Sequence, residues 1–202
     1  MKLYYIPGAC SLSPHISLRE AGASFELDRV DAGKTASGKD YKIINAKGQV
    51  PALQLDSGEV LTEGAAVVQF IADQHPGAGL APPSGTVARA RLQEHLNFIA
   101  SELHKAFSPL FNPAASEESK TAAPDQVAKR LDYVESLFAD GRAYLLGETF
   151  SVADAYLFAV ASWTGPTKIG LDRWPKLKAF VARVSERPAV QAAMKAEGLI
   201  AA

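Results

Sequence analysis

The chain begins with an apolar and aromatic run, residues 2–6, that Pro7-Gly8 stops. A run of that length ended by a turn predicts a buried strand. Over residues 14–21, Ile16, Leu18 and Ala21 stand among polar residues, and Gly22 follows. That spacing predicts a short helix with a glycine stop. Phe25 and Leu27 alternate with Glu26 and Asp28, so residues 25–30 read as a second strand. Residues 31–47 are mostly polar, with one irregular helical turn expected at 41–45. Two further strands, 52–55 and 59–61, are joined by Asp56-Ser57-Gly58, a hairpin signal. An apolar-rich helix follows at 65–74. This order describes an α/β sheet of mixed direction.

After His75 the pattern changes. Residues 75–85 are dense in proline and glycine and read as a linker. Beyond it only helical periodicity remains. Leu92, Leu96, Ile99, Leu103 and Leu110 recur along one long helix. Val127, Leu131 and Val134 mark a second, in which Pro124 predicts a kink or a later start. A third begins at Ser151 and passes through Tyr156, Leu157, Val160 and Trp163, and shorter helices fit 174–184 and 189–197. The expected domains are 1–78, a linker at 79–86, and an all-helical domain at 87–202.

Composition narrows the classes of partner. The 202 residues carry Lys+Arg 21 against Asp+Glu 22, a net charge of -1. A nucleic-acid binder shows a basic excess, and a membrane-bound chain shows a Lys/Arg-rich amphipathic face or a long uncharged apolar run. None of these patterns is present, so neither partner is expected. Pro7 cuts the first apolar stretch, which therefore lacks the central region of a secretory signal. The domain is expected to begin at Met1 and the protein to be cytoplasmic. One cysteine excludes an intrachain disulfide and a cysteine-based zinc site. The four histidines form no His-Glu-x-x-His motif, and no metal is expected.

That cysteine, Cys10, lies between the first strand and the first helix. A thiol there feels the positive end of the helix dipole and nearby N–H groups, which lower its pKa. A small buried hydrophobe is the plain alternative. Ser11 is a rival hydrogen-bond donor, and Ser13 before Pro14 reads as an N-cap. In Gln49-Val50-Pro51-Ala52-Leu53, a cis Val50–Pro51 bond would leave the Val50 backbone open to an extended peptide-like ligand. Glu63 and Gly64 open a helix, where free N–H groups suit a carboxylate and the acidic side chain an ammonium. An ordinary acidic first turn explains them equally well. Asn97, Ser101, His104 and Lys105 form a polar stripe beside the apolar one, which is either a solvated face or an anion site at a domain seam. Ser151 and Asp154 make a capping box, a structural device.

Taken in order, Pro7-Gly8-Ala9-Cys10-Ser11-Leu12, Gly48-Gln49-Val50-Pro51-Ala52-Leu53, Leu61-Thr62-Glu63, Ser101-Glu102-Leu103-His104-Lys105, Ser151-Val152-Ala153-Asp154 and Ala196-Glu197-Gly198-Leu199 resemble the bacterial beta-class cytosolic glutathione transferases. The resemblance spans essentially the whole chain. It implies a thioredoxin-like α/β N-terminal domain plus an all-α C-terminal domain, a homodimer, and glutathione as co-substrate. By the same resemblance Cys10 faces the glutathione sulfur and can form a mixed disulfide with it. Val50 pairs with the cysteinyl backbone beside cis Pro51, Glu63 and Gly64 hold the γ-glutamyl end, and Lys34 meets the glycyl carboxylate. Leu103, His104 and Lys105 line the site from the helical domain, with His104 joining Cys10 as a catalytic residue. Asn97, Ser101 and Glu102 reach glutathione across the dimer.

The implied activity is conjugation of glutathione to small hydrophobic electrophiles. Thiol–disulfide exchange or reductive dehalogenation through Cys10 is the second reading, and a non-catalytic ligand carrier the third. The electrophile pocket is expected near Tyr5, Phe107, Pro109, Phe111 and Trp163.

Overall fold

The computed structural model describes residues 1–201. Strand β1 (Lys2–Tyr5) pairs in parallel with β2 (Glu26–Arg29) through a crossover on helix α1 (Leu12–Glu20). β3 (Ala52–Gln54) runs antiparallel to β1 and pairs with β4 (Val60–Thr62), giving the sheet order β2-β1-β3-β4. The mixed sheet expected from the hydrophobic pattern is therefore present. Its register puts Leu3 opposite both Leu27 and Leu53, with Leu53 opposite Leu61. Leu3 and Leu53 pack with Leu18 of α1 and with Val67 and Ile71 of α2 (Gly64–Gln74). Each such fully buried leucine contributes roughly 1.5–3 kcal/mol. Tyr4 and Ala52 face the other way, onto Val30 and Tyr41, which explains why residues 3–5 are apolar without alternation.

Two helix starts differ from expectation. α1 begins at Leu12 with Ser11 in the N-cap position, so Ser13 caps nothing. Its hydroxyl donates to the Cys10 carbonyl at 2.8 Å instead. Residues 10–12 already wind helically, with Leu12 and Ser13 N–H groups bonded to the carbonyls three residues back, so Pro14 falls inside the first turn rather than at its head. Similarly, α5 (Glu117–Leu137) runs through Pro124 from a Ser116 cap that accepts the Ser119 N–H. The cap and the acidic first turn start the helix upstream, and the later start does not occur.

The long helix expected over the leucine stripe is interrupted. α3 (Val87–Phe98) passes into a π-helical turn at Ile99–Leu103 before α4 (His104–Phe111). α6 (Val152–Ala161) is buried on every side and forms the centre of the helical half, a setting that suits its apolar run. α7 (Pro175–Ser185) and α8 (Pro188–Ala196) complete the chain's helices, α8 packing on α1. The capping box at the head of α6 is formed. Asp154 there accepts the Ser151 and Leu145 N–H groups, each at 2.8 Å, and the Ser151 hydroxyl.

Polar clamps join the halves. Arg89 of α3 grips both carboxylate oxygens of Asp73 of α2, and Arg187 grips both of Glu20. Among the described residues no helix is long and apolar enough to cross a membrane, and no group of three or more potential ligands could hold a metal ion.

Candidate functional site

The turn after β1 is tied down from several directions. Ser11 Oγ accepts the Ile6 N–H and donates to the Ile6 carbonyl. Those two bonds account for the hydroxyl, so Ser11 holds the turn closed rather than competing with the thiol. Gly8 sits at φ +71, in the left-handed region that glycine enters without strain. Its N–H donates to Glu197 Oε2 at 2.9 Å and its carbonyl accepts Trp163 Nε1 at 2.8 Å. Two segments of the helical half, one after α6 and one after α8, thus bear on the residue two before Cys10.

Cys10 is buried, and its Sγ–H donates to the Val50 carbonyl at 3.3 Å. Burial pushes the thiol up to about 11, opposed by the Cys10 and Ser11 N–H groups and by the charge of Lys105. The expectation of a lowered pKa is therefore overturned. The helix N-terminus does act in the expected direction, but desolvation of the thiolate outweighs it.

Two cavities meet at this thiol. One, of about 100 Å³, is polar and is lined by Cys10, Asn45, Lys47, Gln49, Val50, Pro51, Glu63, Gly64, Ala65, Ala100, His104, Lys105 and Tyr156. Val50–Pro51 is cis. Glu63 takes φ +69, a strained setting for a non-glycine residue. Gly64 and Ala65 begin α2 beside it, where helix N–H groups have no intrahelical partner. Lys47 Nζ bonds Thr62 Oγ1 at 2.9 Å and pairs with Glu63. Two cations, Lys47 and Lys105, one carboxylate and a helix N-terminus therefore face a single small space.

The other cavity, of about 530 Å³, is mostly apolar and is lined by Pro7, Gly8, Ala9, Cys10, His104, Phe111, Trp163, Pro166 and Leu199. Cys10 and His104 belong to both. His104 stands edge-on to Trp163 with ring centroids 4.7 Å apart, and its Nδ1 lies 3.1 Å from the Tyr156 hydroxyl. Burial first, then the Lys105 charge, lowers its pKa to about 4, so the ring is neutral at physiological pH.

Of the residues predicted from sequence, Cys10, Val50, Pro51, Glu63, Gly64, His104 and Lys105 line the polar cavity together. Lys34 does not. It sits exposed in a bridge with Asp31, and from this half of the chain it is Lys47 that lines the cavity. Leu103 is fully buried in the helical core. Asn97, Ser101 and Glu102 are exposed outside the cavity, with Ser101 Oγ bonded to the Asn97 carbonyl and Glu102 paired with Arg130. The π turn accounts for that split. It adds residues to one turn between Asn97 and His104, so the polar stripe does not continue on one face.

At the apolar cavity Phe111 and Trp163 take their expected places. Phe107 is buried behind them, Pro109 lines a different surface cleft, and Tyr5 belongs to the core beneath the sheet. Asn45, Lys47, Gln49, Tyr156 and Leu199 join the cavities without a sequence signal of their own. The first three flank the Val-Pro motif; Tyr156 reads as one more position of an apolar stripe, and only its hydroxyl, which needs a partner when buried, sets it apart.

Comparison with known proteins places the fold in a family. Residues 1–73 match the family model "Glutathione S-transferase, N-terminal domain" and residues 98–188 match "Glutathione S-transferase, C-terminal domain". The chain is 47% identical over 201 residues to glutathione S-transferase GstA of Escherichia coli, covering 98% of this chain and 100% of that one. Among solved structures, the ternary complex of the bacterial enzyme BphK is 57% identical with a TM-score of 0.95, covering 98% of this chain and 100% of that one. A sphingomonad glutathione S-transferase complexed with glutathione is 50% identical with a TM-score of 0.94, covering 99% and 100%. A beta-class enzyme of Sphingomonas chungbukensis is 48% identical with a TM-score of 0.95, covering 99% and 100%. The chain belongs to the glutathione S-transferase family.

Proposed function

We propose that the chain conjugates glutathione to small hydrophobic electrophiles, acting as a cytoplasmic homodimer. The observation that carries this reading is the meeting of a polar and an apolar cavity at one thiol and one neutral imidazole. The polar cavity has the complement of charges for the γ-glutamyl end, with Glu63 taking the ammonium and the N-terminus of α2 the carboxylate. The Val50 carbonyl, which accepts the Cys10 S–H in the free protein, is the acceptor for the cysteinyl N–H of glutathione. Cys10, released from it, and His104 then stabilise the glutathione thiolate by hydrogen bonds. That sulfur attacks the electrophilic carbon from the apolar cavity, the new C–S bond forms, the leaving group departs with its electron pair, and the thiol proton goes to solvent.

The raised pKa of Cys10 supports conjugation over thiol–disulfide exchange, because a protonated thiol donates well and attacks poorly. Asn97, exposed at the end of α3, and Ser101 and Glu102, exposed in the π turn that follows, are proposed to approach the partner subunit's glutathione. The proposed domain limits are 1–78 and 87–202, with residues 79–86 between them.

Cys10→Ala and Cys10→Ser proteins test the proposal with a chloronitrobenzene as electrophile and with a glutathione mixed disulfide as the alternative substrate. Conjugation weakened in Cys10→Ala and partly kept in Cys10→Ser supports the donor role. Rapid alkylation of Cys10 at neutral pH, with disulfide reduction as the dominant activity, would replace conjugation with the redox reading.

A further inference from the structure

Tyr156 lines the polar cavity, is 3% exposed, and lies against Gly64, with its Cζ and hydroxyl oxygen each 3.6 Å from where a Cβ would stand on that glycine. Among the described residues its hydroxyl has one hydrogen-bond partner, His104 Nδ1 at 3.1 Å. The direction of that bond determines what His104 can do. A neutral imidazole carries one proton, so one ring nitrogen donates and the other accepts. Were Nδ1 the donor, the Tyr156 proton would have no acceptor, and an unmade buried donor costs about 1–3 kcal/mol. With Tyr156 donating, its proton and Nδ1 satisfy each other, and the imidazole proton resides on Nε2, which has no partner among the described residues and is not sealed from the cavity.

We propose that Tyr156 is a positioning residue that fixes His104 as the Nε2–H tautomer, so that the ring offers an N–H donor to the sulfur of glutathione. The inference rests on the placement of glutathione in the polar cavity. The opposite tautomer would turn a lone pair toward that sulfur and disfavour its thiolate. Because the surroundings keep the imidazole neutral, the donor is set by geometry rather than by protonation. Trp163, edge-on to the ring, fixes its plane, and Tyr156 fixes its proton. The groups around the pair are Cys10 and Glu63, both of which join burial in raising the Tyr156 pKa, and Lys105, which lowers that of His104. Tyr156 therefore stays protonated as the donor throughout the working range.

Nitrogen-15 NMR of His104 in the full-length free protein reads the tautomer directly. The expected result is a protonated Nε2 and an unprotonated, hydrogen-bonded Nδ1, with mixed tautomers in Y156F; a protonated Nδ1 in the wild type overturns the inference. Kinetics supply the second readout. In Y156F the acid limb of the kcat/KM profile for glutathione is expected to move up by about one pH unit, a tenfold loss on that limb, while glutathione binding changes little. A limb that stays in place despite mixed tautomers in Y156F overturns the catalytic consequence. H104A separates the two levels: an unmoved limb in H104A refutes the placement of glutathione sulfur at His104, whatever the tautomer.

Discussion

The polar cavity draws its walls mainly from residues 45–65, through backbone groups and charges, whereas the apolar cavity is closed by Phe111, by Trp163 with Pro166, and by Leu199, from three segments of the helical half far apart in the chain. A ligand of fixed chemistry can be recognised by groups that a short stretch of chain delivers in order. An apolar co-substrate asks only for shape and dryness, and the side chains that provide them come from wherever the packed helices leave space. Cys10 and His104 are held in common because the reaction takes place where the two ligands touch.

The largest effect expected is one that abolishes the contrast. Asp154 binds the head of α6, which carries Tyr156 to the polar cavity and leads on to Trp163 at the apolar one. Asp154→Ala leaves buried N–H groups unpaired and should cost about 3 kcal/mol in urea unfolding, with both cavities lost together. The same carboxyl gives a pH signature. Burial lifts it to about 6 against its three hydrogen bonds, above the unfolded value of about 3.9. Folding therefore takes up a proton between those values. The contribution of this group to stability is greatest below about pH 4, falls as pH rises to about 6, and is constant beyond. Asp154→Asn should remove that part of the slope; an unchanged slope would count against burial as the cause.

Next in size is Glu63→Gln, which alters the polar cavity and leaves its neighbour intact. Loss of a charge-assisted bond should raise the glutathione Kd by about 10- to 100-fold in calorimetry. The KM for the electrophile at saturating glutathione should be unchanged. Phe111→Ala is the converse variant. Half-exposed on the apolar wall, Phe111 should contribute about 3- to 10-fold to the electrophile KM and nothing to glutathione affinity. Equal effects on both ligands in either variant would show that the cavities are energetically one site.

The smallest effects separate two lysines. Lys47→Ala should weaken glutathione binding several-fold, because one of the two cations at the cavity is lost. Lys34→Ala should change it by less than about twofold, as expected of an exposed charge outside the cavity. The reverse order would restore Lys34 as the lysine that meets glutathione.

Legibility in the sequence followed the same division. Val50, Pro51, Glu63 and Gly64 stand at strand and helix starts, and local patterning placed those starts within one or two residues. Lys34, which the resemblance places at glutathione, lies exposed outside the cavity that Lys47 lines, and the polar loop of residues 31–47 has no periodicity to say which side chain turns inward. The π turn at Ile99–Leu103 was invisible because a leucine stripe at spacings of three, four or seven fits a continuous α-helix equally well. Tyr5 and Pro109 fall away from the apolar cavity, and Phe107 packs one layer behind its Phe111–Trp163 wall, for a related reason: hydrophobicity marks a residue for burial and does not say in which layer.

Local chemistry by itself determined the mixed sheet, the change to helices after residue 75, and the turn that brings a lone cysteine to the first helix. These rest on periodicity, glycine and proline punctuation, and capping, all of which act over a few residues. Tertiary structure decided the protonation of the site. The Cys10 thiol is pushed up rather than down, and His104 is neutral, because the helical half closes over both and removes the water that would stabilise charge. Desolvation depends on neighbours distant in the chain, and no local pattern encodes it.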